Sequence, residues 1–258
     1  MFLDDQQLKT LLDICGVLEI IIVFIVSYII GCYSKAHAIS VKKNIDFKAN
    51  GSRNYGASNT LLLAGKKAGL TVLICDILKV FVANFMSIIA PSVIIYFPIR
   101  LRYLNYIDDS QIGITALFVS CLAVIIGHIY PMQLKFDGGK GFATYIGSIL
   151  AISFFTEKPS LLLVIVVAIA LAVITDYIVV GTFTTIILTP IYLAIAESNK
   201  AAVLCMGIAS LIIAFKHIEN IVNIIYKKET KISEAFSKKS ETQIEKELLP
   251  DGETVNHK

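Results

Sequence analysis

Most of the residues able to do chemistry in this 258-residue chain sit in three short polar segments. The first runs from Ala49 to Thr60. There Gly51 and Gly56 permit a compact turn whose backbone amides converge on one anion, with Ser52, Arg53, Asn54, Ser58 and Asn59 as further hydrogen-bonding groups. A helix starting near Ser58 or Asn59 would add its positive end, although an ordinary polar loop capping a helix has the same composition. The second segment is sharper. Gly127-His128 and Pro131 lead to Gly138-Gly139-Lys140-Gly141, which opens an apolar stretch beginning Phe142-Ala143-Thr144. Glycine amides and an ammonium at a helix N-terminus suit a phosphate. This is not a Walker loop, because Gly141 follows Lys140 where Ser or Thr is required. His128 closes an apolar run; it reads either as a structural interface residue or, with Lys140 and the glycines, as part of a site. The third segment, Phe215 to Tyr226, places His217 and Asn220 three apart and so on one helix face. A polar helix end leaving a membrane would look the same.

The elements that must position these segments are membrane helices. Hydrophobic residues make up 56% of the chain and charged residues 17%, against about 45–50% and 25% in a soluble domain. The excess is gathered into long runs nearly free of charge, which excludes a soluble globular enzyme, a disordered chain and a secreted disulfide scaffold. Cys15, Cys32, Cys75, Cys121 and Cys205 lie far apart without metal-ligand spacing and read as small buried side chains. No metal or cofactor is expected. A net charge of +3, with no basic stretch interleaved with aromatics, gives no reason to expect nucleic acid.

The expected fold is all-α, a polytopic bundle of about seven transmembrane helices. Clean candidates are Leu11–Tyr33, Leu70–Ala90, Ile112–Tyr130, Tyr177–Ala196 and Ala201–Phe215 running on towards Ile225. The break Thr156-Glu157-Lys158-Pro159-Ser160 splits a further stretch into Phe142–Phe155 and Leu161–Thr175. Asp4 and Asp5 precede the first run in place of a basic region, so it is expected to stay as a span and not to be removed as a signal peptide. Seventeen Lys and Arg fall on the side of Ser34–Gly69, Lys135–Lys140 and the C-terminal end, against Lys9, Arg100, Arg102, Lys158 and Lys200 on the other. Positive loops stay cytoplasmic. The N-terminus is therefore expected outside, the C-terminus and all three polar segments in the cytoplasm. Residues 1–226 form the membrane domain, and 227–258 a charged, mobile or loosely helical tail. Asp76 and Lys79, three apart inside the second run, share a face and are expected to pair within the bundle, serving the site or bracing it.

In order and content the three segments resemble the motifs of the bacterial membrane glycerol-3-phosphate acyltransferases that use acyl phosphate as donor. Gly51, Ser52, Asn54, Gly56, Ala57, Ser58 and Asn59 match Gly-Ser-Gly-Asn-x-Gly-Ala-Thr-Asn. Gly127, His128, Pro131, Phe136, Gly138, Gly139, Lys140, Gly141, Ala143 and Thr144 match the second motif, and His217, Asn220 and Ile221 the third. Arg53 replaces a motif glycine, Asp137 stands where a basic residue is common, and Leu62, Ile218 and Asn223 stand where arginines are usual. The resemblance implies a seven-helix membrane fold in the cell membrane. It implies transfer of a fatty acyl group from acyl phosphate to the sn-1 hydroxyl of glycerol 3-phosphate, giving lysophosphatidic acid, with an upstream acyl-phosphate-producing enzyme as partner. On this reading Lys140, His128, His217 and Asn220 are catalytic. Ser52, Arg53, Asn54, Gly56, Ser58, Asn59, Gly138, Gly139, Gly141 and Thr144 bind the phosphates. The missing arginines leave open a degenerate member that binds without turnover, and the intramembrane Asp76 and Lys79 a transporter. No His is followed by Asp at the fifth position (Lys42, Gln133 and Val222 stand there), which disfavours acyltransferases built on that dyad.

Overall fold

The computed structural model describes residues 5–91, 109–197 and 199–237, which form helices and connecting turns. Arg100, Arg102 and the tail beyond Ser237 lie outside the described residues. The helices are α1 (Asp5–Cys32), α2 (Lys35–Lys43), α3 (Ala57–Ala64), α4 (Lys66–Pro91), α5 (Asp109–Ile129), α6 (Phe142–Phe155), α7 (Leu162–Thr175), α8 (Ile178–Ala196), α9 (Lys200–Lys216), α10 (Ile218–Ile225) and α11 (Ile232–Ser237). Each of the seven apolar runs read from the sequence is a helix. By length and hydropathy Asp13–Lys43, Lys66–Ser87, Gly113–Leu134 and Ile178–Ala196 are able to cross a bilayer, and α9 with α10 makes a fifth if taken as one span. Helices α6 and α7, with 14 residues each, fall short of the roughly 20 that a full crossing needs.

One expectation is corrected. The last run does not continue straight from Ala201 towards Ile225: it bends by 47° at His217, between α9 and α10. Lys216, His217, Glu219 and Asn220 interrupt the apolar run here, but with no Pro or Gly among them the sequence does not specify a bend. After the bend, Ile218, Ile221, Val222 and Ile225 are exposed along α10.

Helix α5 is the centre of the bundle and packs against α1, α4 and α9. Its Phe118, Ile125 and Ile129 are fully buried with Tyr145, Ile149 and Ile152 of α6 and Met206 and Ile213 of α9. The outward faces of α1, α7 and α8 expose Val17, Ile21, Ile25, Val166, Ile169 and Ile191, as lipid-facing helices do. The contact of α1 with α5 depends on the smallness of two glycines. A Cβ on Gly31 would overlap the Val124 backbone, and one on Gly127 the Tyr28 carbonyl. Close approach of this kind is how helices associate where water supplies no driving force. Around it, Ser27 Oγ donates to Ser120 Oγ (2.9 Å), Tyr28 Oη donates to the Tyr130 carbonyl (2.9 Å), and the Gln133 amide donates to the Cys32 carbonyl.

Gly127→Ala is expected to destabilise the protein by about 1–3 kcal/mol through overpacking, read as a lower Tm in detergent micelles. Gly113→Ala lies on the same helix, where the added Cβ meets nothing within 4 Å; it should leave Tm unchanged or raise it.

Candidate active site

The first polar segment folds around its own asparagines. Asn59 is fully buried, and its side-chain amide donates to the carbonyls of Phe47 (2.9 Å) and Asn54 (2.9 Å) while its oxygen accepts from Ser52 N (2.8 Å). Asn54 Nδ2 donates to the Ser52 carbonyl (2.7 Å) and to Ser52 Oγ (3.0 Å). With its oxygen accepting, the Ser52 hydroxyl keeps its own proton to donate elsewhere. Fully buried Phe47 packs with Ala36 and Val72 beneath the loop and ties it to α2 and α4. Gly51 (φ 61°) and Arg53 (φ 52°) both take left-handed backbone. That geometry accounts for a motif glycine at the place of Arg53, since a side chain there costs roughly 1–2 kcal/mol. Gly56 is the N-cap of α3 and offers no side-chain cap. Ser58 is exposed on the first turn that follows.

The second segment is pinned to the end of α5. Gly138 N donates to the Ile129 carbonyl (3.0 Å) and Gly139 N to the His128 carbonyl (3.1 Å). The expectation that these two amides face a phosphate is therefore corrected: they close the orphan carbonyls that any helix C-terminus leaves. Their glycines are required by space, because a Cβ on Gly138 would overlap the His128 carbonyl and one on Gly139 the His128 imidazole. Gly141 (φ 89°) is the N-cap of α6, again without a side-chain cap, so the first-turn amides of α6 lack intrahelical partners. Thr144 is fully buried and donates from Oγ1 to the Gly141 carbonyl (2.7 Å).

Three contacts draw the segments together. Tyr55 N donates to the Gly138 carbonyl (3.4 Å), joining the first to the second. Lys48 strengthens that seam, with Nζ 2.6 Å from Asp137 Oδ1 and 3.3 Å from the Gly138 carbonyl. Lys140 Nζ donates to Asn220 Oδ1 (2.5 Å), joining the second to the third, and Asn220 Nδ2 donates to Glu229 Oε1 (2.7 Å). His217 sits at the bend, the C-cap of α9 and N-cap of α10 at once, and its Nδ1 donates to the Ile213 carbonyl (2.9 Å). His217 thus caps the helix that carries Asn220, whose N donates to the His217 carbonyl (3.0 Å). Burial holds the half-buried Lys140 ammonium below the usual lysine pKa; Glu219 and Glu229 pull it back up and Lys216 pushes it down. Burial, with the Asp46 and Asp137 carboxylates, raises the Tyr55 phenol.

Sequence reading missed Lys48, Tyr55 and Glu229. Lys48 counted only as a loop charge, and its pairing with Asp137 crosses 89 residues with no local signal. Next to α10, Ile221 and Ile224 join Val167, Leu171, Phe183 and Leu188 in lining an apolar groove of about 470 Å³ between α7 and α8. No cluster of three metal-ligating side chains occurs among the described residues.

Residues 21–227 match the family model described as glycerol-3-phosphate acyltransferase. The chain belongs to that family. It is 34% identical over 222 residues to glycerol-3-phosphate acyltransferase 1 of Oceanobacillus iheyensis, covering 85% of this chain and 98% of that one. With the glycerol-3-phosphate acyltransferase of Bartonella henselae it shares 32% identity over 216 residues, covering 82% and 90%. The crystal structure of PlsY (YgiH), an integral membrane glycerol 3-phosphate acyltransferase in its glycerol 3-phosphate form, superposes with a TM-score of 0.67. The sequence identity is 25%, and the match covers 82% of this chain and 94% of that one. This acyltransferase is thus a multi-pass membrane enzyme, and its family match ends at the residue after Tyr226.

Two outcomes follow from the geometry. Arg53→Gly relieves the left-handed strain and should raise Tm by an amount equivalent to about 1 kcal/mol. Glu229→Gln removes a carboxylate that supports the Lys140 ammonium. A lysine needed as the cation loses activity as pH rises through its pKa, so the alkaline limb of the acyl-transfer rate should move to lower pH in that variant.

Proposed function

We propose that this acyltransferase takes its acyl group from acyl phosphate and places it on the sn-1 hydroxyl of glycerol 3-phosphate, releasing inorganic phosphate and forming lysophosphatidic acid. The observation that carries this reading is the joining of the three polar segments, Tyr55 N to the Gly138 carbonyl and the Lys140 ammonium to Asn220, with the starts of α3 and α6 carrying no side-chain cap. Uncapped helix starts and a lysine are built for anions, and the two substrates bring two phosphates. Lys140 and the first-turn amides of α6 hold one of them. The Ser52 hydroxyl, the Arg53 guanidinium and the start of α3 hold the other, each charge-assisted hydrogen bond being worth about 1.5–3 kcal/mol. Asn54, Asn59 and Thr144 shape these walls from inside.

An acyl phosphate is a mixed anhydride with a good leaving group, so the glycerol hydroxyl attacks the acyl carbon directly and the C–O bond to phosphate breaks. No enzyme nucleophile is required; positioning and charge neutralisation do the work. A substrate phosphate oxygen takes the hydroxyl proton. Because His217 Nδ1 donates to the Ile213 carbonyl, its Nε2 is left as an acceptor, suited to orienting the glycerol hydroxyl beside Asn220. The apolar groove that begins at Ile221 and Ile224 supports a fatty chain as the other half of the donor. The excess of Lys and Arg on the loops of this end supports a site on the cytoplasmic face of the cell membrane, supplied by an enzyme that makes acyl phosphate.

Purified protein in lipid nanodiscs, given acyl phosphate and labelled glycerol 3-phosphate, should form labelled lysophosphatidic acid. Lys140→Ala should lower kcat about 100-fold or more. Product formed from acyl-CoA but not from acyl phosphate would overturn the donor, and ligand binding with no turnover on either would overturn the reaction.

A further inference from the structure

Beneath the glycine loop lies a cluster of ionisable groups in which only His128 reads as catalytic from the sequence. Asp76 and Lys79 of α4 and His128 of α5 meet inside the bundle at 2%, 6% and 5% exposure. We propose that Lys79 is a positioning residue for acyl transfer: its ammonium donates to His128 Nδ1, fixing the imidazole as the Nε2–H tautomer with that edge against the Gly138–Gly141 loop. The inference rests on the reading that this loop belongs to the acyl-transfer site.

Distance decides the tautomer. Lys79 Nζ lies 2.8 Å from His128 Nδ1, and an ammonium has no lone pair, so the ring nitrogen has to be the acceptor. The rival partner for an Nδ1–H is Asp76 Oδ1, at 3.4 Å; that carboxylate is itself 2.9 Å from Lys79 Nζ. A proton on Nδ1 would face the ammonium across the shorter gap. Lys79 also contacts the carbonyls of Gly31 (3.1 Å) and Tyr33 (3.2 Å) at the end of α1, so its three N–H groups are shared among four acceptors, of which His128 Nδ1 is the nearest. On the far side the ring is clamped as well. A Cβ on Gly139 would overlap Nε2 and Cε1, and Gly139 N donates to the His128 carbonyl (3.1 Å). The Nε2 edge therefore abuts the residue before Lys140. In this tautomer it presents a donor to an anion there; in the other it would present a lone pair, which an anion repels. His217 carries the opposite tautomer, with Nδ1 bonded to a carbonyl, so the two histidines of the site are set as donor and acceptor.

The test pairs a spectrum with kinetics. In nanodiscs with ¹⁵N-labelled histidine and no substrate, the His128 signal, assigned by its loss in His128→Gln, should report Nε2–H, and that of His217 Nδ1–H. Lys79→Met alone strands a buried carboxylate and risks misfolding, so the informative variant is the charge-neutral Asp76→Leu/Lys79→Met. It should lower kcat about 10- to 100-fold with KM for glycerol 3-phosphate little changed, and should move the His128 signal away from pure Nε2–H. Lys79→Arg, which keeps a cationic donor, should restore both readouts in part. Nδ1–H at His128 in active wild-type protein, or wild-type kcat in the double variant, would overturn the inference. Wild-type protein inactive with acyl phosphate yet showing Nε2–H would sink the acyl-transfer reading instead, leaving the tautomer assignment in place.

Discussion

Two hydrogen bonds between distant loops, Tyr55 N to the Gly138 carbonyl and Lys140 to Asn220, hold the three polar segments together. The helix starts at Gly56 and Gly141 within them carry no side-chain cap. The second segment is anchored at the opposite end of α5, whose last carbonyls, on His128 and Ile129, are taken by the amides of Gly139 and Gly138. The glycine loop thus turns its consumed donors towards α5 and leaves the start of α6 open. The Tyr55–Gly138 bond then brings the start of α3 alongside, and Lys140 reaches Asn220 on α10. Glu229, arriving through Asn220, balances part of the Lys140 charge.

Much of this was legible in the sequence. The apolar runs became helices because runs with so few charges have few alternatives in lipid. The break at Thr156–Ser160 survives as a turn and a short 3-10 helix, since Pro159 and its charged neighbours cannot continue a span. The three segments were recognisable by residue type and order. What the sequence hid was which atoms of those residues are used. A glycine reads as a permissive backbone, yet Gly138 and Gly139 are needed because His128 and Pro131 occupy the space a Cβ would fill. Asn59 looked like a ligand donor, but its amide is spent on the loop's own carbonyls. The bend at His217 and the Lys48–Asp137 pair depend on packing between distant parts of the chain, which periodicity does not encode.

Substrate chemistry and membrane geometry meet at α10. One face of this short helix carries Asn220 to Lys140, while Ile221 and Ile224 open onto the apolar groove. Because the bend turns it away from the axis of α9, a single two-turn element touches both the polar cradle and the lipid-facing side.

The buried ammonium of Lys79 bears on how the molecule is made. Its partners come from three helices: the end of α1, Asp76 on its own α4, and His128 on α5. An isolated α4 released into hydrocarbon would carry this charge with only Asp76 to answer it, at a cost of several kcal/mol. The charge is fully answered only when α1, α4 and α5 have packed, which couples the assembly of these three helices to one another.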